Sequence, residues 1–251
     1  MASWLIPFRK KRAKIATVSP TTVNCIAQDF YKDSFDTKRS LEDQLDRQAH
    51  VEPLTTHPLI TPSSSFSIQP DYPPVLVDDL PPWTSPFLQS WLAEYIQVWL
   101  PSRIHAAHHW HMLYSLANDG CSIQTLYSRA KECHGPMLLV IRTTEDEVIG
   151  AYLSEPLKPS RQYYGSGECF LWKSVHNHSL KVYPWTGANE YLIYSNQDFI
   201  AIGGGEGQVG LYLHGNLFHG HSQRCSTFAN ECLSTTPQFE CLDIELWQFI
   251  F

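Results

Sequence analysis

Cys225 stands with His219 and His221 before it and Asn230 and Glu231 after it, so a thiol, a base and an orienting group fall within one short stretch. A nucleophilic thiol needs an imidazole to take its proton, or a helix N-terminus to stabilise the thiolate. The segment Ser222 to Asn230 has the composition to open a short helix and supply the second. Against this stands a plainer reading, in which Cys225 is a small buried apolar residue. Ser222, Thr227 and Asn230 then tie an irregular turn through local hydrogen bonds. The residue types favour the plainer reading, and Cys225 with His221 is kept as the weak catalytic alternative.

Two groups of residues have metal-ligand chemistry. His105, His108, His109 and His111, with Glu94 upstream, match no HExxH pattern and straddle a helix-to-strand passage, where solvated histidines are the simpler account. His214, His219, His221 and Cys225 are interrupted by Gly215 and Gly220, which turn successive side chains to different faces of a hairpin. No metal and no cofactor is expected at either place.

Gly203, Gly204, Gly205, Glu206, Gly207 and Gly210 invite comparison with a phosphate cradle. A P-loop closes with Lys-Ser/Thr, which is missing here, and Glu206 would repel an anion. Gly205, Gly207 and Gly210 fit GxGxxG, but the run that follows, Val209 to Leu213, is β-branched and aromatic rather than helical. The glycines are therefore expected to join strand to strand and to supply positive φ in a tight β connection.

These pieces recur in a fixed order: Gly165-Ser166-Gly167-Glu168, Tyr183-Pro184-Trp185-Thr186-Gly187, the glycine run, Leu211-Tyr212-Leu213, Gly220-x-Ser222-x-x-Cys225-x-Thr227-Phe228-x-Asn230, and Glu245-x-Trp247-x-Phe249. Together they resemble the TLDc domain of the oxidation-resistance proteins and their nuclear receptor coactivator relatives. The similarity extends upstream through Leu100-Pro101-x-Arg103 to about Pro86. The resemblance implies protection against oxidative damage, and binding to the vacuolar proton-pumping ATPase through its V1 subunits. It brings no agreed catalytic residues. Glu168 and Glu245 match acidic positions of the family; Glu168 is expected to accept backbone N–H groups in a glycine turn or to contact a partner.

Composition separates the chain into two parts. All 13 glycines lie at or after Gly120, whereas ten of the 17 prolines precede Ser85. Residues 1–84 are expected to form a disordered extension, basic at first and then rich in Pro, Ser and Thr; residues 85–251 form the domain. Of the net charge of −7, the part after Ser85 carries nearly all, with nine Lys and Arg against 15 Asp and Glu. An acidic domain disfavours a general nucleic-acid surface. The seven cysteines are an odd number and no secretory leader is evident, so reduced thiols in the cytoplasm are expected. Residues 1–28 lack acidic side chains and carry Arg9-Lys10-Lys11-Arg12. Mitochondrial targeting, nuclear import, weak membrane-surface contact by residues 4–14 and a plain solvated tail all remain open. No run is long enough to span a bilayer.

The positioning elements follow from periodicity. Ser85-Pro86 read as N-cap and first residue of a helix carrying Leu88, Leu92, Tyr95, Ile96 and Trp99 on one face, stopped by Pro101. A strand is expected over 110–116 and a second helix after Ser122. Strands are then expected near 137–143, 147–153, 168–174, 179–184, 189–195, 198–202, 209–213 and 239–249. The expected fold is α+β: a two-layer antiparallel β-sandwich with flanking helices at its ends. The expected function is that of a monomeric, non-enzymatic interaction domain.

Overall fold

The structure, a computed structural model, describes residues 72–78, 85–175 and 179–251. The basic stretch at residues 4–14, Cys25 and the Pro, Ser and Thr-rich stretch before Tyr72 lie outside the described residues. The elements are β1 (Val75–Val77), α1 (Ser90–Gln97), α2 (Ser102–His105), β2 (His109–Ser115), α3 (Leu116–Asp119), α4 (Ile123–Ala130), β3 (Met137–Thr143), β4 (Val148–Leu153), β5 (Phe170–Val175), β6 (Ser179–Pro184), β7 (Ile193–Ser195), β8 (Phe199–Gly205), β9 (Gln208–His214), β10 (His219–His221) and β11 (Gln238–Ile250).

Two sheets share one strand. The larger runs β6-β5-β4-β3-β11-β2-β1 and the smaller β7-β8-β9-β10-β11. Residues 238–240 of β11 pair with β10; from Cys241 the strand pairs with β3, and from Glu245 it lies between β3 and β2. Its register shifts between Cys241 and Asp243, where it passes from one sheet to the other, as a bulge allows by bending the strand and increasing its twist.

The alternation of side chains makes the larger sheet a middle layer. Along β3, Met137, Leu139 and Ile141 face the smaller sheet, and Leu138 and Val140 face the other way. The inner face packs on Ile200, Ile202, Leu211 and Leu213. The outer face, with Trp110, Trp172 and Trp247, is covered by Leu88, Leu92, Ala93 and Ile96 of α1 and its approach, and by Ile104 of α2. A sheet buried on both faces reads as the continuous apolar run Met137 to Ile141. The α4 helix adds Ile123, Leu126, Tyr127 and Ala130 to the inter-sheet core.

Several expectations need correction. The α1 helix starts at Ser90 with Gln89 as its N-cap, not at Ser85-Pro86; the amides of Phe87 and Leu88, just before it, bond to the Glu245 carboxylate instead. That helix covers the outer face of the larger sheet. Order does not begin at Ser85: Val75–Val77 pairs with β2, and does so in parallel, so the sheet is antiparallel except at this edge. Three apolar residues among prolines and acids were too short a run to show a strand. The glycine run is not the connection itself. Gly203, Gly204 and Gly205 are strand residues of β8, and the turn is Glu206-Gly207 alone. Both turn residues have positive φ, 56° and 73°, the backbone of a two-residue type I′ hairpin.

Candidate interaction surface

Cys225 lies in the inter-sheet core, 2% exposed, and its Sγ is 3.2 Å from Asn230 Oδ1, to which it donates. Burial pushes the thiol above its ordinary range. His221 stacks on the Tyr212 ring at 4.4 Å and has no hydrogen bond to Cys225; burial and His214 push its pKa down to about 4. A raised thiol and a lowered imidazole are opposite to the shifts of a thiolate–imidazolium pair. No helix begins at Ser222 either. The segment runs through a turn with Ala229 at φ 47°, so there is no helix N-terminus to stabilise a thiolate. Glu231, the other orienting candidate, points to the larger sheet instead and takes bonds from Lys173, Lys181 and Tyr183 at 2.8–2.9 Å. Its pKa is held down to about 2 by those partners.

The polar motif residues hold this loop to the smaller sheet. Thr227 Oγ1 accepts from Gly204 N at 2.9 Å and donates to Asn189 Oδ1 at 2.7 Å. Ser222 Oγ donates to Gly210 O and accepts from Leu233 N. Asn230 Nδ2 donates to Gln223 O and Glu231 O. All three side chains are fully buried. Gly203 and Gly210 lie beneath this loop: a Cβ at Gly203 would come within 2.6 Å of the Phe228 ring, and one at Gly210 within 3.1 Å of Cys225 Sγ.

What this scaffold holds outward is a row of loops. The Trp185 indole lies against Gly167, where a Cβ would meet the ring at 2.2 Å, and its Nε1 donates to Asn189 O. Asn189 Nδ2 reaches Ser226 Oγ at 2.9 Å, and Ser226 Oγ sits over Gly205. Gly167-Glu168, Trp185, Asn189 and the Glu206-Gly207 turn thus form one connected surface. Contrary to the expectation that it accepts backbone N–H groups in its own glycine turn, Glu168 takes both guanidinium nitrogens of Arg103 on its two oxygens. That contact lowers the Glu168 pKa and raises that of Arg103. Sequence reasoning missed Trp185 and Asn189 as the links, and missed Arg103 as the partner. Gly167 beside an aromatic motif was the only available signal, and it does not name the ring that covers it.

Glu245 is not part of this surface. It is 1% exposed on the outer face of the larger sheet and accepts from Phe87 N, Leu88 N and Trp247 Nε1. Burial pushes it up to about 7. Trp247 is likewise a core residue.

The four histidines near residue 108 do not converge. His105 ends α2, His109 and His111 sit on β2, and His108 meets the Tyr72 ring edge-on. Among the described residues no three His, Cys, Asp or Glu side chains come together to hold a metal ion. Among them, too, no helix is long and apolar enough to cross a membrane.

Comparison with known sequences points one way. The family model described as "TLDc domain" matches residues 83–250. "Nuclear receptor coactivator 7" of Mus musculus is 40% identical over 149 residues, which is 59% of this chain and 16% of that protein. "Oxidation resistance protein 1" is 41% identical over 140 residues in Xenopus laevis and 40% in Homo sapiens, in each case 56% of this chain and 16% of the relative. The match therefore spans about a sixth of the length of these relatives.

Proposed function

This chain belongs to the TLDc domain family, and from that premise we propose that it is a non-enzymatic interaction domain acting in protection against oxidative damage. The partner we propose is the vacuolar proton-pumping ATPase, bound through its V1 subunits, whose assembly or activity the domain regulates. The compartment proposed is the cytoplasm, where that sector is exposed.

One observation carries the choice of interaction over catalysis. Ser222, Thr227 and Asn230, the polar residues of the most distinctive motif, are fully buried and bonded to backbone, Asn189 or Cys225. They build shape. The groups left at the surface are a half-exposed ion pair, an indole that is 37% exposed and an acidic hairpin turn. Loops fixed by internal hydrogen bonds lose little conformational freedom on binding, which favours recognition. An acidic domain also suits a basic patch on its partner.

The full chain should bind purified V1 sector in a sedimentation or interferometry assay, with salt-dependent affinity. Absence of binding at micromolar concentration and low salt would reject the partner while leaving the interaction surface to be tested against others. Turnover of a thioester or peroxide substrate by the purified chain, lost on Cys225→Ala, would reject the non-enzymatic reading itself.

A further inference from the structure

The loop that carries Trp185 is bonded down along its length, yet it leaves an indole at the surface. Thr186 N donates to Thr227 O at 2.9 Å, Thr186 Oγ1 to Ser226 O at 2.8 Å, and Trp185 Nε1 to Asn189 O at 2.7 Å. Gly167 has no side chain, and the indole ring occupies the space where one would stand. The ring is thus fixed on one side and remains 37% exposed. An aromatic ring held this firmly loses little rotamer freedom when a partner covers it, which is the property of a binding anchor. We propose that Trp185, with Glu190 and Glu206 beside it, is a subsite for an arginine side chain in a basic segment of the protein partner. The proposal rests on the interaction-domain reading given above, and not on which protein that partner is.

The charges near the ring give the partner its sign. Asn189 ties both glutamates to the indole. Its carbonyl takes the Trp185 N–H, Glu190 follows it in the chain, and its Nδ2 lies 3.3 Å from where a Cβ on Gly205 would stand, one residue before Glu206. The strand leading to Glu206 also touches the chain after Glu190, since a Cβ on Gly204 would lie 3.1 Å from Tyr191 Cβ. Both glutamates are exposed, and neither forms an ion pair among the described residues. Arg224, the cation on the loop that carries Ser226, pairs with neither of them. Other carboxylates differ: Glu155 pairs with Lys158, Glu168 with Arg103, and Glu231 with Lys173 and Lys181. Glu190 and Glu206 are therefore negative charges that the domain itself leaves unmatched.

A ring beside two unmatched carboxylates selects arginine. A guanidinium stacks flat on an indole, where the ring quadrupole attracts it, and its N–H groups stay free in the plane to donate to a carboxylate. A lysine ammonium is a strongly hydrated point charge with no plane to stack. An anionic segment would be repelled by Glu190 and Glu206, and an apolar one would desolvate them without a partner.

The test is titration of the ¹⁵N-labelled full chain with the capped peptide Gly-Arg-Gly-Arg-Gly and its lysine and citrulline counterparts, following the Trp185 indole N–H and the Glu190 and Glu206 amides. The arginine peptide should shift all three signals saturably and bind about threefold or more tighter than the lysine peptide, and the citrulline peptide, planar but uncharged, should not bind. Glu190→Gln/Glu206→Gln alters two exposed side chains and no packing, and should raise the Kd about fivefold. Glu145→Gln should leave it unchanged, since the β3–β4 turn lies at the far end of the larger sheet from Pro184. No saturable shift at Trp185, equal affinity for the lysine or citrulline peptide, or an unchanged Kd in the double variant would overturn the proposal. V1 binding by parent and double variant is measured alongside. Peptide binding without V1 binding keeps the subsite and rejects that partner, whereas V1 binding without peptide binding rejects the subsite alone.

Discussion

Arg103 and Glu168, 65 positions apart, meet through both guanidinium nitrogens and both carboxylate oxygens, joining α2 to the β4–β5 loop beside Trp185. The pair is open to water, with side-chain exposures of 54% and 34%. Exposed ion pairs typically contribute about 0.2–1 kcal/mol to stability. The pair's orientation of the loop matters more than its energy. Glu168→Arg should therefore lower the melting temperature by no more than a few degrees while weakening V1 binding at least tenfold. The double reversal Arg103→Glu/Glu168→Arg should restore the pair but not the binding, because the charge facing the partner stays inverted. Melting curves and binding isotherms on the three variants test this; recovery of binding in the double variant would remove Glu168 from the contact surface.

The glycines of β8 differ from one another. Gly203 and Gly205 have φ of 77° and 123°, and a Cβ would run into the Phe228 ring and Ser226 Oγ respectively. Gly204 has no such φ, and its nearest neighbour would be Tyr191 Cβ at 3.1 Å. Gly203→Val and Gly205→Val should each cost about 2–5 kcal/mol, combining backbone strain with overpacking. Gly204→Ala should cost much less. Chemical denaturation reports these differences directly, and equal losses at all three positions would mean that backbone conformation is not the cause.

Much of this architecture was legible in the sequence. The strands from Met137 to Pro184 follow from β-branched and aromatic runs between breakers, and Ser122 marks the start of α4, where its side chain accepts from Thr125 N at 3.3 Å. Periodicity could not show Glu245 binding the amides of Phe87 and Leu88 ahead of the helix, because that contact spans most of the domain and leaves the apolar spacing of the helix intact. Nor could it show that Gly203 to Gly205 continue a strand, since glycine in sequence signals a turn. Of the candidate surface, Glu168 and the Glu206-Gly207 turn were singled out in the sequence, whereas Arg103, Trp185 and Asn189 were not, and Glu245 and Trp247 lie in the core instead. Asn230 ties its own turn, bonding Cys225 N, Gln223 O and Glu231 O, whereas Thr227 was read as doing the same and instead bonds across to Gly204 and Asn189 on segments far away in the chain.

Cys225 should behave as a core residue. Its thiol is 2% exposed and raised by burial, whereas Cys121 is exposed. Labelling with a maleimide or disulfide reagent at pH 7 should modify Cys121 first and Cys225 at least a hundredfold more slowly, at a rate limited by opening of the loop. Mass spectrometry of the labelled peptides measures both rates, and faster labelling at Cys225 would argue for an activated thiolate.

The smaller sheet should weaken in acid through His221. Its folded-state pKa of about 4 lies below the ordinary value of 6.5, so the neutral ring is the form the fold prefers. That contribution is complete above pH 6.5 and is lost as pH falls from there through 4. His221→Phe retains a ring to stack on Tyr212 and should reduce the loss of melting temperature between pH 7 and pH 4.5. An unchanged pH profile would show that His221 does not titrate in this way.

Regulation of assembly requires unequal affinity for the assembled and separated pump, since equal affinity for both states shifts nothing however tight the binding. The most direct measurement adds the purified full chain to the assembled pump and follows release of the V1 sector together with ATP hydrolysis, with Glu168→Arg/Glu206→Arg as the control. The account predicts a dose-dependent change in V1 release and hydrolysis that the charge-reversed variant fails to produce. Binding of equal strength to assembled and separated pump, with neither release nor hydrolysis altered, would contradict it.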